Sequence, residues 1–258
     1  MPVDTGHGRS LPAPQGHQVN GLNAAWLAEH LETCFGDRDA EALLRLVTRD
    51  IFPGRAAVVS SFGAESAVIL DLVARVDRRL PVIFLETGKH FPETLAYRDR
   101  LVRDLGLENI QSVTPEPAAL RSDDPDGRLW AADPDLCCRL RKVEPLARAL
   151  SGFDAWITGR KRFHGGARSD LPVFEAVDGR IKVNPVARWT QDDIVAAFKA
   201  RDLPRHPLVA DGYRSIGCQP CTHRTTEGEA VRAGRWAGLA KTECGIHKAA
   251  WATKPQTG

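Results

Sequence analysis

The chain has 258 residues, 43% of them apolar, and a formal net charge of +2. That length suits one sizeable α/β domain with its own core, and the near-neutral charge argues against a nucleic-acid or membrane-surface protein. No run approaches the roughly 18 to 20 apolar residues of a transmembrane helix. Residues 1–20, rich in Pro, Gly and polar side chains, have no apolar signal core and read as a flexible tail. The expected location is the reducing cytoplasm, where six cysteines read as ligands or catalysts before disulfides.

In chain order, residues 23–50 read as two amphipathic helices, NAAWLAEHLETC and DRDAEALLRLVTRD, joined at Gly36. AAVVS (56–60) is a buried-strand candidate and SAVILDLVARV (66–76) has helical spacing. PVIFLE (81–86) predicts a second strand, ETLAYRDRLVRDLG a helix stopped at Gly106, and NIQSV (109–113) a third strand. A helix carrying Cys137 and Cys138 precedes a fourth strand, DAWITG (154–159). VFEAVDGRIKV reads as a hairpin turning at Asp178–Gly179, and TQDDIVAAFKARD (190–202) as a helix capped by Thr190. From Leu203 onward the chain is loop-rich. This alternation predicts an open, mostly parallel twisted sheet with helices on both faces. It forms a single domain over residues 21–238, followed by a mobile C-terminal tail over 239–258.

SSFGAES (60–66) links the first strand to the next helix. Ligands of open α/β sheets bind at the carboxyl ends of strands. Ser60, Ser61, Phe62, Gly63, Ala64, Glu65 and Ser66 are therefore candidate binders of an anion, held by hydroxyls and helix N-terminal N–H groups. No Gly-Lys-Ser/Thr follows, so this is not a Walker A loop. The alternative is an ordinary strand-to-helix turn. A second such loop, LETGKHFPETL (85–95), brings Thr87 and Gly88 to the same sheet edge.

Five of the six cysteines fall in three groups: Cys137–Cys138, Cys218 with Cys221, and Cys244. Four thiolates suit a metal or iron–sulfur site. Neighbouring side chains on a helix diverge by about 100°, which favours a 4Fe-4S cluster over one zinc ion. Buried thiols without metal are the remaining alternative. Cys244, beside Gly245 and near Lys241 and His247, is a candidate nucleophile; the alternative is a cysteine without a role. Cys34, on the buried-looking face of an amphipathic helix, reads as core.

SSFGAES resembles the PP-loop of the adenine-nucleotide α-hydrolases. Together with LETGKHFPET, CCRLRKVEPL, TGRKR, GCQPCT, GRW and ECGIH, in order from residue 60 to residue 248, it resembles the bacterial adenylyl-sulfate (APS) reductases within the wider PAPS reductase family. One departure is local: many relatives carry Arg-Asp-Gln after the TG-x-R segment, where this chain has the basic loop Arg160-Lys161-Arg162-Phe163-His164-Gly165-Gly166-Ala167-Arg168, without the acid and the amide.

The resemblance implies that Cys244 attacks the sulfur of APS, that AMP leaves, and that thioredoxin or a glutaredoxin-like dithiol releases sulfite from an S-sulfocysteine, in sulfate assimilation. It also implies one 4Fe-4S cluster on Cys137, Cys138, Cys218 and Cys221, and APS rather than PAPS as substrate. Fixed positive charge must assist attack on an anionic centre. Lys142, Arg168, Arg232 and Arg235 are the candidates, with His247 contacting the sulfate or tuning the thiolate. Arg232 and Arg235, three apart, share a face if helical. Lys142, four past Cys138, stands between cluster and substrate, which suggests an electrostatic role for the cluster. A homo-oligomer is expected, with no nucleic-acid or membrane partner. The competing readings are a PAPS reductase, a PP-loop sulfurtransferase or ATP pyrophosphatase acting on tRNA, and a non-catalytic iron–sulfur nucleotide sensor.

Overall fold

The computed structural model describes residues 21–226 and 228–247; the N-terminal tail and residues 248–258 lie outside them. Six strands make one sheet in the order β3-β2-β1-β4-β6-β5. They are β1 (Ala56–Val59), β2 (Val82–Leu85), β3 (Ile110–Val113), β4 (Ala155–Ile157), β5 (Phe174–Val177) and β6 (Arg180–Val183). All neighbours run parallel except β5 and β6. That pair is the expected hairpin: Asp178 and Gly179 have φ of 50° and 71°, the left-handed turn that matches strand twist.

Central strands of a parallel sheet are covered on both faces, so they are apolar throughout rather than alternating. β2 (VIFL) is buried at every position. Ala56, Val58, Val82, Phe84 and Ile157 pack on one face. Ala57, Ile83, Leu85 and Trp156 pack on the other, with Leu146, Leu150 and, from the C-terminal segment, Ile246.

The helices are α1 (Gly21–Phe35), α2 (Ala40–Arg45), α3 (Ser66–Val76), α4 (Pro92–Leu105), α5 (Pro117–Asp123), α6 (Leu129–Ala132), α7 (Pro134–Cys138), α8 (Glu144–Ala149) and α9 (Gln191–Ala200). A π-helical stretch, Arg139–Val143, joins α7 to α8, and another, Leu46–Ile51, extends α2. Thr190 and Asp193 close a reciprocal capping box at α9. Among the described residues no helix is long and apolar enough to cross a membrane.

Cys34 is exposed, which corrects its expected place in the core. The buried face of α1 is Ala24, Ala28 and Leu31, and Cys34 falls on the outer stripe with Trp26 and His30. The site is positioned by the strand order. The chain leaves β1 towards β2 on one side while β4 lies on the other. The loops after β1 and β4 therefore part at a topological switch point, where open α/β sheets bind ligands.

Candidate active site

A cleft of about 200 Å³ opens at that switch point. Ser60, Ser61, Gly63, Ala64, Glu65 and Ser66 from the loop after β1 line it. Phe62 does not. Its φ of 48° turns the ring inward, where it is fully buried and packs edge-on against Phe84 at 5.5 Å. The Phe62 N–H donates to Ser60 Oγ at 3.2 Å, which anchors the loop from beneath.

Glu65 stands before α3 and makes no side-chain cap. Instead its Oε2 lies 2.6 Å from Lys161 Nζ and 3.1 Å from His164 Nε2. Burial would raise its pKa, but His164 and Lys161 outweigh burial and hold it at about 2. Burial likewise lowers the pKa of both Lys161 and His164, against the pull of Glu65.

The facing wall is basic. Seven Lys or Arg side chains line the cleft against two carboxylates, Glu65 and Glu243. Arg160 pairs with Glu175 at 2.9 Å, and the wholly buried Lys182 pairs with the same carboxylate at 3.0 Å. Burial and the nearby Arg160 bring Lys182 down to about 8. Arg232 and Arg235 sit in a tight turn rather than a helix, with Arg235 N–H donating to Arg232 O. Both reach the cleft all the same. The Arg235 guanidinium lies over the Trp236 ring at 4.5 Å and against Gly217, where a Cβ would meet it at 2.2 Å.

Cys244, Ile246 and His247 close the cleft. Arg168, from the loop after β4, grips Glu243 through two bonds of 2.6 and 3.0 Å. Arg232 adds a bond to Thr242 O at 2.7 Å and a contact with Glu243 at 3.3 Å. Burial lowers the Arg232 pKa to about 10, with Arg168 adding to the effect. His247 stacks on Trp156, centroids 5.9 Å apart at 6°. Burial, then the charges of Lys182, Arg160, Arg168 and Arg232, push it well below the usual imidazole range, so it is neutral.

Cys137 and Cys138 end α7, and Cys218 precedes and Cys221 ends a short 3₁₀ turn. The four thiols line one smaller cavity together with Lys89, Arg141 and Lys142. Lys142 lines both cavities. Thr87 and Gly88 do not reach the cleft and belong to the thiol side. Thr87 Oγ1 is 3.4 Å from Cys218 Sγ, its carbonyl accepts from Arg141 at 2.7 Å, and Gly88 packs near the same guanidinium.

The donor set of this cavity is four thiols with no carboxylate or imidazole, the choice that soft metals and iron–sulfur clusters favour. Among the described residues no three His, Cys, Asp or Glu side chains converge as ligands of one ion. Burial raises the Cys137 and Cys138 thiols to about 11 and about 12, and only a bound cation or cationic cluster would hold them as thiolates. Burial also raises Cys221. At Cys218 burial acts upward too, but Lys142, Thr87 and Arg235 outweigh it and the pKa falls.

Sequence reasoning did not single out Lys161, His164, Arg214 or Glu243 as cleft residues, and it left Arg160 as part of a basic loop. TGRKR directly after β4 was the available signal, since the end of the strand beside β1 must face the same cleft.

Residues 55–224 match the phosphoadenosine phosphosulfate reductase domain. The chain is 54% identical to the adenosine 5′-phosphosulfate reductase of Mesorhizobium japonicum over 220 residues, covering 85% of this chain and 87% of that one. It is 46% identical to the protein of the same name from Mycobacterium tuberculosis (strain H37Ra) over 195 residues, covering 74% and 75%. The phosphoadenylyl-sulfate reductase of Candida auris, solved as a phosphate complex, superposes with a TM-score of 0.66 at 27% identity, over 76% of this chain and 96% of that one. The FMN adenylyltransferase of Candida glabrata, at 12% identity and a TM-score of 0.51 over 80% and 78%, shares the fold alone.

Proposed function

The chain belongs to the phosphoadenosine phosphosulfate reductase family, and from that premise we propose that it reduces adenosine 5′-phosphosulfate to sulfite and AMP. One observation carries the reading. A cysteine, Cys244, lines the same cleft as the loop after β1 and a wall of seven cations, which is what thiol attack on an anionic nucleotide requires.

Loop N–H groups and the hydroxyls of Ser60, Ser61 and Ser66 hold the nucleotide phosphate. Lys142, Arg235 and Arg160 face the sulfate. The Cys244 thiolate attacks sulfur, an S–S bond forms, and the sulfur–oxygen bond to AMP breaks, with AMP taking the electron pair. The product on the enzyme is S-sulfocysteine. The fixed cations offset the negative charge brought together in that step, at no reorganisation cost. His247, neutral and with Nδ1 unpartnered among the described residues, offers a hydrogen bond rather than a charge.

A dithiol protein of the thioredoxin class completes the cycle. One of its thiolates attacks Cys244 Sγ and expels sulfite; its second thiol resolves the mixed disulfide, so both electrons come from the dithiol. For this exchange the segment carrying Cys244 must leave the cleft.

Cys137, Cys138, Cys218 and Cys221 would hold a 4Fe-4S cluster, which supplies fixed charge next to Lys142 when bound. The four-thiol cavity is also what favours APS over its 3′-phosphorylated analogue. The cytoplasm is the compartment in which such thiols persist. The test is turnover of APS and PAPS with thioredoxin, scored as sulfite and AMP. Preference for APS is expected; preference for PAPS would reassign the substrate, and no sulfite from either would reject the reading.

A further inference from the structure

Glu65, in the loop after β1, and Glu243, next to Cys244, are joined by a continuous polar chain. His164 Nε2 lies 3.1 Å from Glu65 Oε2, and His164 Nδ1 lies 3.3 Å from Arg168 NH1. Arg168 then holds Glu243 by its two bonds of 2.6 and 3.0 Å. Arginine only donates, so Nδ1 must accept and the imidazole proton must sit on Nε2, where it donates to the Glu65 carboxylate. Both ring nitrogens are thereby committed, and the direction of every bond in the chain is set.

The consequence is mechanical. A guanidinium grips a carboxylate through two bonds that lie in its plane, so a third bond that fixes the plane also aims the grip. Arg168 has one remaining nitrogen, NH1, and His164 is what holds it. Lys161, on the other side of Glu65, keeps that carboxylate charged and in place. The anchor therefore runs back to Glu65 and Lys161, at the turn that enters α3.

We propose that His164 is a positioning residue for the nucleophile: as a single-tautomer bridge between Glu65 and Arg168, it orients Arg168 to dock Glu243 and so holds the Cys244 segment in the cleft. This inference rests on Cys244 being the nucleophile. Its test reads thiol accessibility rather than turnover, so the two can fail separately.

The experiment is alkylation of the cluster-loaded full chain by iodoacetamide, followed peptide by peptide by mass spectrometry. Exposed Cys34 serves as an internal reference whose rate should not change. Losing the bridge or the docked carboxylate shifts a local opening equilibrium, so His164→Ala and Glu243→Gln should each speed Cys244 alkylation about tenfold. The double variant should go no faster, because both changes break one chain. His164→Asn, which keeps an acceptor near the Nδ1 position but loses the donor to Glu65, should recover part of the loss and stand between His164→Ala and wild type, an outcome that general loosening of the loop would not give. Wild-type alkylation of Cys244 in His164→Ala, effects that multiply in the double variant, or no rescue by Asn would overturn the proposal.

Discussion

Arg168 and Glu243 are joined by two hydrogen bonds across 75 residues of sequence, and that pair fixes where the C-terminal segment lies. It does not act alone. Lys241 pairs with Asp135 of α7, and Ile246 and His247 rest on the sheet face around Trp156. The segment carrying Cys244 is therefore held by polar contacts from Arg168, Arg232 and Asp135 and by the packing of Ile246 and His247.

Lysine at position 168 keeps the charge but cannot make a two-bond fork. Arg168→Lys should lower kcat/KM for APS about tenfold, with a melting temperature close to that of wild type. Unchanged kinetics would show that the charge alone suffices.

Gly217 leaves the space that the Arg235 guanidinium occupies, since a Cβ there would stand 2.2 Å from NH2 and 2.5 Å from Cζ. The atoms in the way are the far end of a flexible side chain, so Gly217→Ala should fold and push Arg235 off the Trp236 face. Weaker APS binding is the expected outcome, by about tenfold, measured as KM with the melting point as control. If KM is unmoved, Arg235 does not face the substrate.

His206 is 1% exposed. Nδ1 accepts from the Leu208 N–H at 3.2 Å, which leaves Nε2 to donate to Thr94 Oγ1 at 3.0 Å. Burial holds its pKa at about 4, whereas an unfolded histidine titrates near about 6.5. Between those values the unfolded chain binds more protons. The contribution to stability is thus complete above about pH 6.5 and lost as the pH falls to about 4, a difference of about 3 kcal/mol. Denaturation midpoints should drop over that range, and His206→Gln should remove part of the slope. A variant whose profile runs parallel to wild type would contradict the assignment.

The four thiols of the second cavity predict about four irons and four sulfides per chain. Cys218→Ser should lose them, while Cys34→Ser keeps them, because Cys34 lies on the outer face of α1. Iron retained in Cys218→Ser, or zinc in its place, would remove the cluster from the account.

Much of this was legible in the sequence wherever the signal was local. Helical periodicity and the preceding polar loop bounded α3 at Ser66–Val76, and Asp178–Gly179 marked the hairpin. Helices α5 and α6 went unread because they are short and carry no buried side chain, so no apolar period announces them. At the site, the loop after β1 and the cysteine groups could be read from composition and spacing. The partners of Arg168 and Glu65 could not, because nothing near Arg168 in sequence points to Glu243. Phe62 was misplaced for a related reason: a small-residue loop suggests exposure, whereas its positive φ sends the ring into the core.

The central claim is that Cys244 takes the sulfuryl group. The direct measurement is intact-mass and peptide mass spectrometry of the protein incubated with APS and no dithiol. The account predicts an adduct of about 80 Da, one SO₃ group, on the Cys244 peptide, removed by thioredoxin with release of sulfite. AMP formed without any adduct on Cys244, or an adduct on a different residue, would contradict it.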